Sequence, residues 1–371
     1  MRLQVSFITQ VLAVIVPFAA AACSSSDAGT PSQPQPQCGD PGVVCDDAAI
    51  DAANDSTDPQ DGASEAAITP DAAPEANAPD AAQEAGPAPA LDCSKIVSGL
   101  NDGFSIDGVN RAFLLDVPAD AATAGPLPVV FNWHGLGDSA QNMRQLLSAQ
   151  VNGPNYKFIL VTPEDSAFKV SALGMSVVVD WDAFNADDAN REVRLYDEVL
   201  SCLQTKYTVD AERVHCAGFS MGSIVCDMLG TLRGGALASV ATYSGGYLND
   251  PQNQDPMMSY VVNWPEYTVT NPYAQLFLHG GPTDTYSIGG YITIHFDQYA
   301  VHDSTYLGGK GHDNVLCNHG QGHSAPAGFA PANVAKFLSD HPRTAQQSPY
   351  RAGGLPSTFP AFCEFVAAPT N

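Results

Sequence analysis

Between residues 24 and 91 the chain has no lysine or arginine, and the whole sequence holds only 15 of them against 40 acidic residues. A basic patch is the least that a nucleic-acid surface requires, so that class of partner is excluded. Long apolar runs are equally scarce. The longest, Val11 to Ala22, is too short and too alanine-rich at its end to be read first as a spanning helix. No Cys-x-x-Cys knuckle occurs among the nine cysteines, which argues against a compact zinc site. Internal repeats are also missing.

The N-terminus does carry a pattern. Arg2 gives a positive start and the apolar run follows, so residues 1–22 are expected to be an export signal. It ends in Ala20-Ala21-Ala22-Cys23, which resembles a bacterial lipobox with Ala20 where leucine is usual. Cys23 is therefore the expected lipidation site, making a membrane surface one partner, with plain cleavage after Ala22 as the alternative. Ser24 after the cysteine resembles the outer-membrane sorting pattern of Gram-negative lipoproteins.

Residues 24–91 hold 13 acids among Ala, Pro, Ser and Gln, too little apolar surface to offset chain entropy, and read as an extended linker. Beyond the linker and Arg2, 27 acids face 14 bases. Nine cysteines fit an oxidising compartment. Cys38 and Cys45 are close enough for a local pair. The connectivity of Cys93, Cys202, Cys216, Cys226, Cys317 and Cys363 stays open, and Cys216 and Cys226 also read as buried thiols.

Residues 92–371 suffice for one sizeable α/β domain. Phe104 to Val117 alternates around Asp107-Gly108, a hairpin signal. Short apolar runs at Pro128–Asn132, Phe158–Val161, Val214–Ala217, Leu237–Tyr243 and Gln275–Leu278 read as buried strands, the second ended by Thr162-Pro163-Glu164. Val193, Tyr196, Leu200 and Leu203 recur at helical spacing; Ser223–Leu232 and Pro331–Leu338 are further helices. Such alternation predicts a mostly parallel sheet covered on both faces. Tyr247 to Tyr273 shows no period and is expected to be a lid or substrate-shaping insert.

The chemistry centres on Gly218-Phe219-Ser220-Met221-Gly222. A serine hydroxyl attacks only when presented rigidly to a base, and a sharp strand-to-helix turn presents it, with small residues two before and two after. Ser220 is thus the candidate nucleophile. Upstream, Trp133-His134-Gly135-Leu136-Gly137 follows a strand. A developing oxyanion needs preorganised N–H donors, expected from Met221 and from Gly135 or Leu136. Asp284, after the Gln275–Leu278 strand and His279-Gly280-Gly281, is the expected acid; Asp297 and Asp303 are reserves that read as solvated charges. His323, in Gly322-His323-Ser324-Ala325-Pro326, is the expected base and His319 a pocket wall. His312, Cys317, His319 and His323 could suggest a metal, but Gly320 and Gly322 break the helix that would align them.

In order, a strand with His-Gly, then Gly-x-Ser-x-Gly, His-Gly-x-x-x-Asp and Gly-His-x-x-Pro resemble the secreted α/β-hydrolase esterases: polyhydroxybutyrate depolymerases, feruloyl esterases and acetylxylan esterases. Thr162-Pro163-Glu164, Trp181, Asp187-Asp188 and Val209-Asp210 support the resemblance over residues 93–340. It departs at Ala325, where many members carry an aromatic, and at Ser223, where a second glycine is frequent. The resemblance implies an α/β-hydrolase fold, a Ser220–Asp284–His323 triad, no cofactor and no metal. Polymeric or small esters are the expected substrates, with Trp133, His134, Trp181 and His319 as candidate contacts; Trp133 and Trp181 read equally well as buried core. Two other readings compete: a surface-binding lipoprotein on an inactive hydrolase scaffold, and a serine peptidase.

Overall fold

The computed structural model describes residues 91–369 apart from 155, 173, 255, 257, 289–291 and 346. The export signal, Cys23 and all but the last residue of the expected linker lie outside the described residues. That last residue, Leu91, belongs to the fold: it is buried, and its N–H donates to Glu198.

In chain order the strands are β1 (Gly99–Ile106), β2 (Val109–Asp116), β3 (Leu127–Trp133), β4 (Ile159–Glu164), β5 (Phe168–Ala172), β6 (Met175–Val179), β7 (Val209–Phe219), β8 (Ser239–Tyr243), β9 (Ala274–His279), β10 (Thr285–Ile288), β11 (Ile292–His295), β12 (Asn314–Asn318) and β13 (Cys363–Val366). The helices are α1 (Ala140–Arg144), α2 (Arg191–Lys206), α3 (Met221–Arg233), α4 (Phe296–Gly308), α5 (Pro331–Asp340) and α6 (Tyr350–Gly353). Nine strands form one sheet in the order β1-β2-β4-β3-β7-β8-β9-β12-β13. From β4 to β12 all neighbours are parallel; β1, β2 and β13 pair antiparallel at the edges.

Burial on both faces explains the unbroken apolar runs. Along β3, Val129, Phe131 and Trp133 point into one cluster with α2 and α3, while Val130 points into the other with Val334, Phe337 and Leu338 of α5. β4 continues through Thr162-Pro163-Glu164 instead of ending there. β3 pairs only with Ile159–Val161, so Pro163 has a neighbour on the β2 side alone, where a missing N–H is tolerated. α4 was not legible because its buried face includes Asp303 and Ser304 among Phe296, Tyr299, Ala300 and Leu307. Among the described residues no helix is long and apolar enough to cross a membrane.

Among the described residues three disulfides pair the six cysteines, Cys93–Cys202, Cys216–Cys226 and Cys317–Cys363, while the expected Cys38–Cys45 pair lies outside those residues. Cys216 and Cys226 are thus bonded to each other, not free buried thiols. The sequence separations of the first two are 109 and 10 residues. Loop-closure entropy makes these worth about 5 and about 3 kcal/mol respectively. Replacing Cys93 and Cys202 by Ala should therefore lower the thermal midpoint by roughly 10 °C or more, and replacing Cys216 and Cys226 by less. Equal or reversed shifts in thermal melts would contradict this ordering.

Candidate active site

β7 ends at Phe219, α3 begins at Met221, and Ser220 alone makes the turn, with φ 53° and ψ −122°. A non-glycine residue in that region is strained and must be held by its surroundings. Two glycines allow the close approach that holds it. A Cβ on Gly218 would lie 2.4 Å from the Gly222 oxygen, and one on Gly222 would lie 2.3 Å from the Trp133 oxygen. Ser220 N–H donates to the Tyr243 carbonyl at 2.8 Å, and the Ser223 hydroxyl bonds both the N–H and the carbonyl of Tyr243. This second role explains a serine at 223 where resemblance favours glycine.

Ser220 is almost fully buried at 6% exposure. Its Oγ lies 2.9 Å from Nε2 of His323, and Nδ1 of His323 lies 2.7 Å from Oδ1 of Asp284. A carboxylate can only accept, so Nδ1 carries the proton and Nε2 is left to accept from the serine. Asp284 is wholly buried, and its other oxygen accepts from Ser244 Oγ and Gly280 N–H, each at 2.8 Å. The loops that deliver acid and base follow adjacent parallel strands, β9 and β12. They are bound together where Gly322 N–H donates to Gly280 and His319 N–H to His279. A Cβ at Gly280 would sit 1.8 Å from the Gly322 oxygen, so only glycine permits this approach. The His323 ring stacks on Phe296, with centroids 4.8 Å apart and planes 16° apart, and lies against Phe219.

The first N–H groups of a helix have no partner within it. Here the Ser220 carbonyl takes the N–H groups of Ser223 and Ile224, and Met221 precedes both. The Gly135 loop lies against the serine: a Cβ there would be 3.2 Å from Ser220 Cβ. Leu136, Met221 and Ser220 share an apolar pocket of about 30 Å³, walled also by Ile294 and Phe296.

Other expected contacts are placed differently. Trp133 and Trp181 are fully buried and pack edge to face, 5.1 Å between centroids. Trp181 Nε1 donates to the His134 carbonyl. Neither ring can stack on a substrate; both support the loop from beneath. His134 is likewise buried, with Nδ1 2.8 Å from the Gly135 carbonyl. His319 is half-buried near Asp284, and burial lowers its pKa as it does that of His279. Asp303 is not a solvated charge: it is buried, accepts from Tyr247 N–H and Asn253, and burial raises its pKa well above the usual range. The four-residue cluster does not assemble, since Cys317 is disulfide-bonded and His312 bonds Tyr267 and Tyr273.

Among the described residues one group of possible metal donors converges, His134, Asp165 and Asp180, with donor atoms within 4.8 Å of one another. Two are already engaged, because Asp180 accepts from Gly137 N–H and His134 Nδ1 faces a carbonyl. The sequence does not single out Ser244, Phe219 or Phe296 as supporting residues. Ser244 stands at a strand end before Gly245-Gly246, a turn signal, whereas nothing in the sequence marks Phe296 as a neighbour of His323.

Residues 121–266 match a family model described as Phospholipase/Carboxylesterase. Feruloyl esterase D of Neurospora crassa is 26% identical over 178 residues, covering 46% of this chain and 59% of that protein. The chain thus matches less than two thirds of that relative's length. Solved structures of native sOPH and native pOPH superpose with TM-scores of 0.58 and 0.55 at 18% and 17% identity. They cover 73% and 74% of this chain, and 94% and 96% of their own. The fold is that of the α/β-hydrolases, and the resemblance to esterases extends beyond the motifs.

Gly222→Ala should force the Trp133–His134 backbone away from α3 and cost about 1–3 kcal/mol. Gly353→Ala, which meets open space, should be near neutral. Denaturant unfolding of both variants checks this; similar losses would refute the close-approach argument.

Proposed function

We propose that this chain is an exported serine esterase that hydrolyses carboxylic esters through an acyl-enzyme. The observation that carries the reading is the continuous hydrogen-bond path from Ser220 Oγ through His323 to buried Asp284, at 2.9 and 2.7 Å. A serine, base and acid in this relation favour attack on an acyl carbon, because the base takes the proton as the new bond forms.

In the first half-reaction Ser220 Oγ attacks the ester carbonyl while His323 Nε2 accepts its proton. Asp284 holds the imidazole in the correct tautomer and stabilises its cation. The carbonyl oxygen becomes anionic and is received by the N–H of Met221, with Gly135 or Leu136 supplying the second donor. His323 then returns the proton to the leaving alcohol. In the second half-reaction a water gives its proton to His323 and attacks the acyl carbon; as the acyl–oxygen bond breaks and the acid leaves, His323 returns that proton to Ser220 Oγ. No cofactor or metal enters this sequence of steps.

The substrate class follows by similarity: feruloyl or acetyl esters of plant polysaccharide, or an aliphatic polyester. A lipid anchor at Cys23 and the acidic linker would hold the domain at a membrane surface facing such polymers. The three disulfides among the described residues support an oxidising location.

Ser220→Ala should lower kcat/KM on p-nitrophenyl acetate by at least about 10⁴-fold with an unchanged circular dichroism spectrum. It should also abolish fluorophosphonate labelling. Turnover surviving in the folded variant would eliminate Ser220 as nucleophile; ester inertness of the wild-type chain would eliminate the esterase reading.

A further inference from the structure

The pocket beside Ser220 is small, about 30 Å³, and almost wholly apolar. At about 10–15 Å³ per water, it has space for roughly two water-sized groups. Two of its walls, Leu248 and Met258, also line a separate hollow of about 320 Å³, whose other side is formed by Asn249, Gln254, Trp264 and Glu266. Both side chains are 95% buried. Among the described residues only these two border both spaces, so together they form a partition between them.

The partition is held from behind. Tyr247 N–H donates to Asp303, and Asn253 donates to both the Tyr247 carbonyl and Asp303, fixing the chain just before Leu248. Met258 opens a short turn in which its carbonyl accepts from Val261 and Val262. The β10–β11 hairpin contributes two further lining residues, Ile288 and Ile294, and is closed at its base where Phe296 N–H donates to the Asp284 carbonyl. This hairpin wall is therefore tied to Asp284.

We infer that this pocket receives the acyl chain, that it takes a short aliphatic acyl group, and that Leu248 and Met258 set its length limit. The inference rests on the esterase reading and narrows it. An acetyl methyl fits the pocket as it stands. A feruloyl arm has a rigid ring and linker, and would need the partition or the hairpin to move. Removing either partition side chain joins the pocket to the larger hollow and gives a longer chain a path.

The test is a panel of p-nitrophenyl acetate, butyrate and octanoate with the full-length protein. For the wild type, kcat/KM should fall at least about tenfold from acetate to octanoate, since each ill-fitting methylene is discriminated at that order. Leu248→Ala and Met258→Ala should each raise the octanoate-to-acetate ratio by about tenfold or more. Leu248→Val and Met258→Val serve if an alanine variant does not fold, with a smaller shift in the same direction. Met258→Trp should sharpen the preference for acetate. A wild type that turns over octanoate as fast as acetate, or folded variants with an unchanged ratio, overturns the inference but leaves the esterase reading intact. Absence of all ester turnover and of fluorophosphonate labelling removes the esterase reading, and this inference with it.

Discussion

The strained turn at Ser220 is the constraint on which the arrangement depends. A left-handed serine between a strand and a helix survives only where its surroundings over-determine it. Here they do so on every side. Gly218 and Gly222 let three stretches of backbone approach to distances at which a Cβ would overlap carbonyl atoms. Ser220 N–H and the Ser223 hydroxyl tie the turn to Tyr243 on β8, and the Cys216–Cys226 disulfide joins β7 to α3 across it. The strain lifts the hydroxyl off the sheet edge, and the same turn places Met221 N–H at the start of a helix.

Acid and base reach that hydroxyl because the sheet is parallel where it matters. β7, β8, β9 and β12 are consecutive neighbours, so the loops after them emerge at one edge. One of these loops carries Ser220, the next Ser244, the next Asp284 and the last His323. Burial of Asp284 would be costly without partners, and it has three: the imidazole, the Ser244 hydroxyl and Gly280 N–H. Phe219 and Phe296 pack against the imidazole, so its orientation is fixed by packing as well as by hydrogen bonds.

Behind the site lies a buried polar floor. Asp227 accepts from Gln275 and Gly246 N–H, and burial pushes its carboxyl up to about 8. Tyr247 bonds Tyr273 and Gln275, and Asp303 fastens Tyr247 and Asn253. Fully bonded networks of this kind rigidify what they support. In this chain they support the segment that carries Leu248 and leads to Met258, the two side chains that border both cavities.

The short-range pattern of the sequence determined the strand–turn–helix at 214–232, the glycine-flanked loop at 135, the β1–β2 hairpin and the α/β alternation. Each depends on residues within a few positions of one another, where propensity and steric need act locally. Only the tertiary structure decided the rest. Which cysteines pair, that Trp133 and Trp181 face inward, that Asp303 is buried, and that Leu248 and Met258 divide two cavities all depend on contacts between distant segments. Asp284 and His323 fall between the two cases. Chain order and glycine neighbours singled them out, but their meeting with Ser220 required neighbouring parallel strands to bring separate loops to one edge, a geometric fact no local pattern contains.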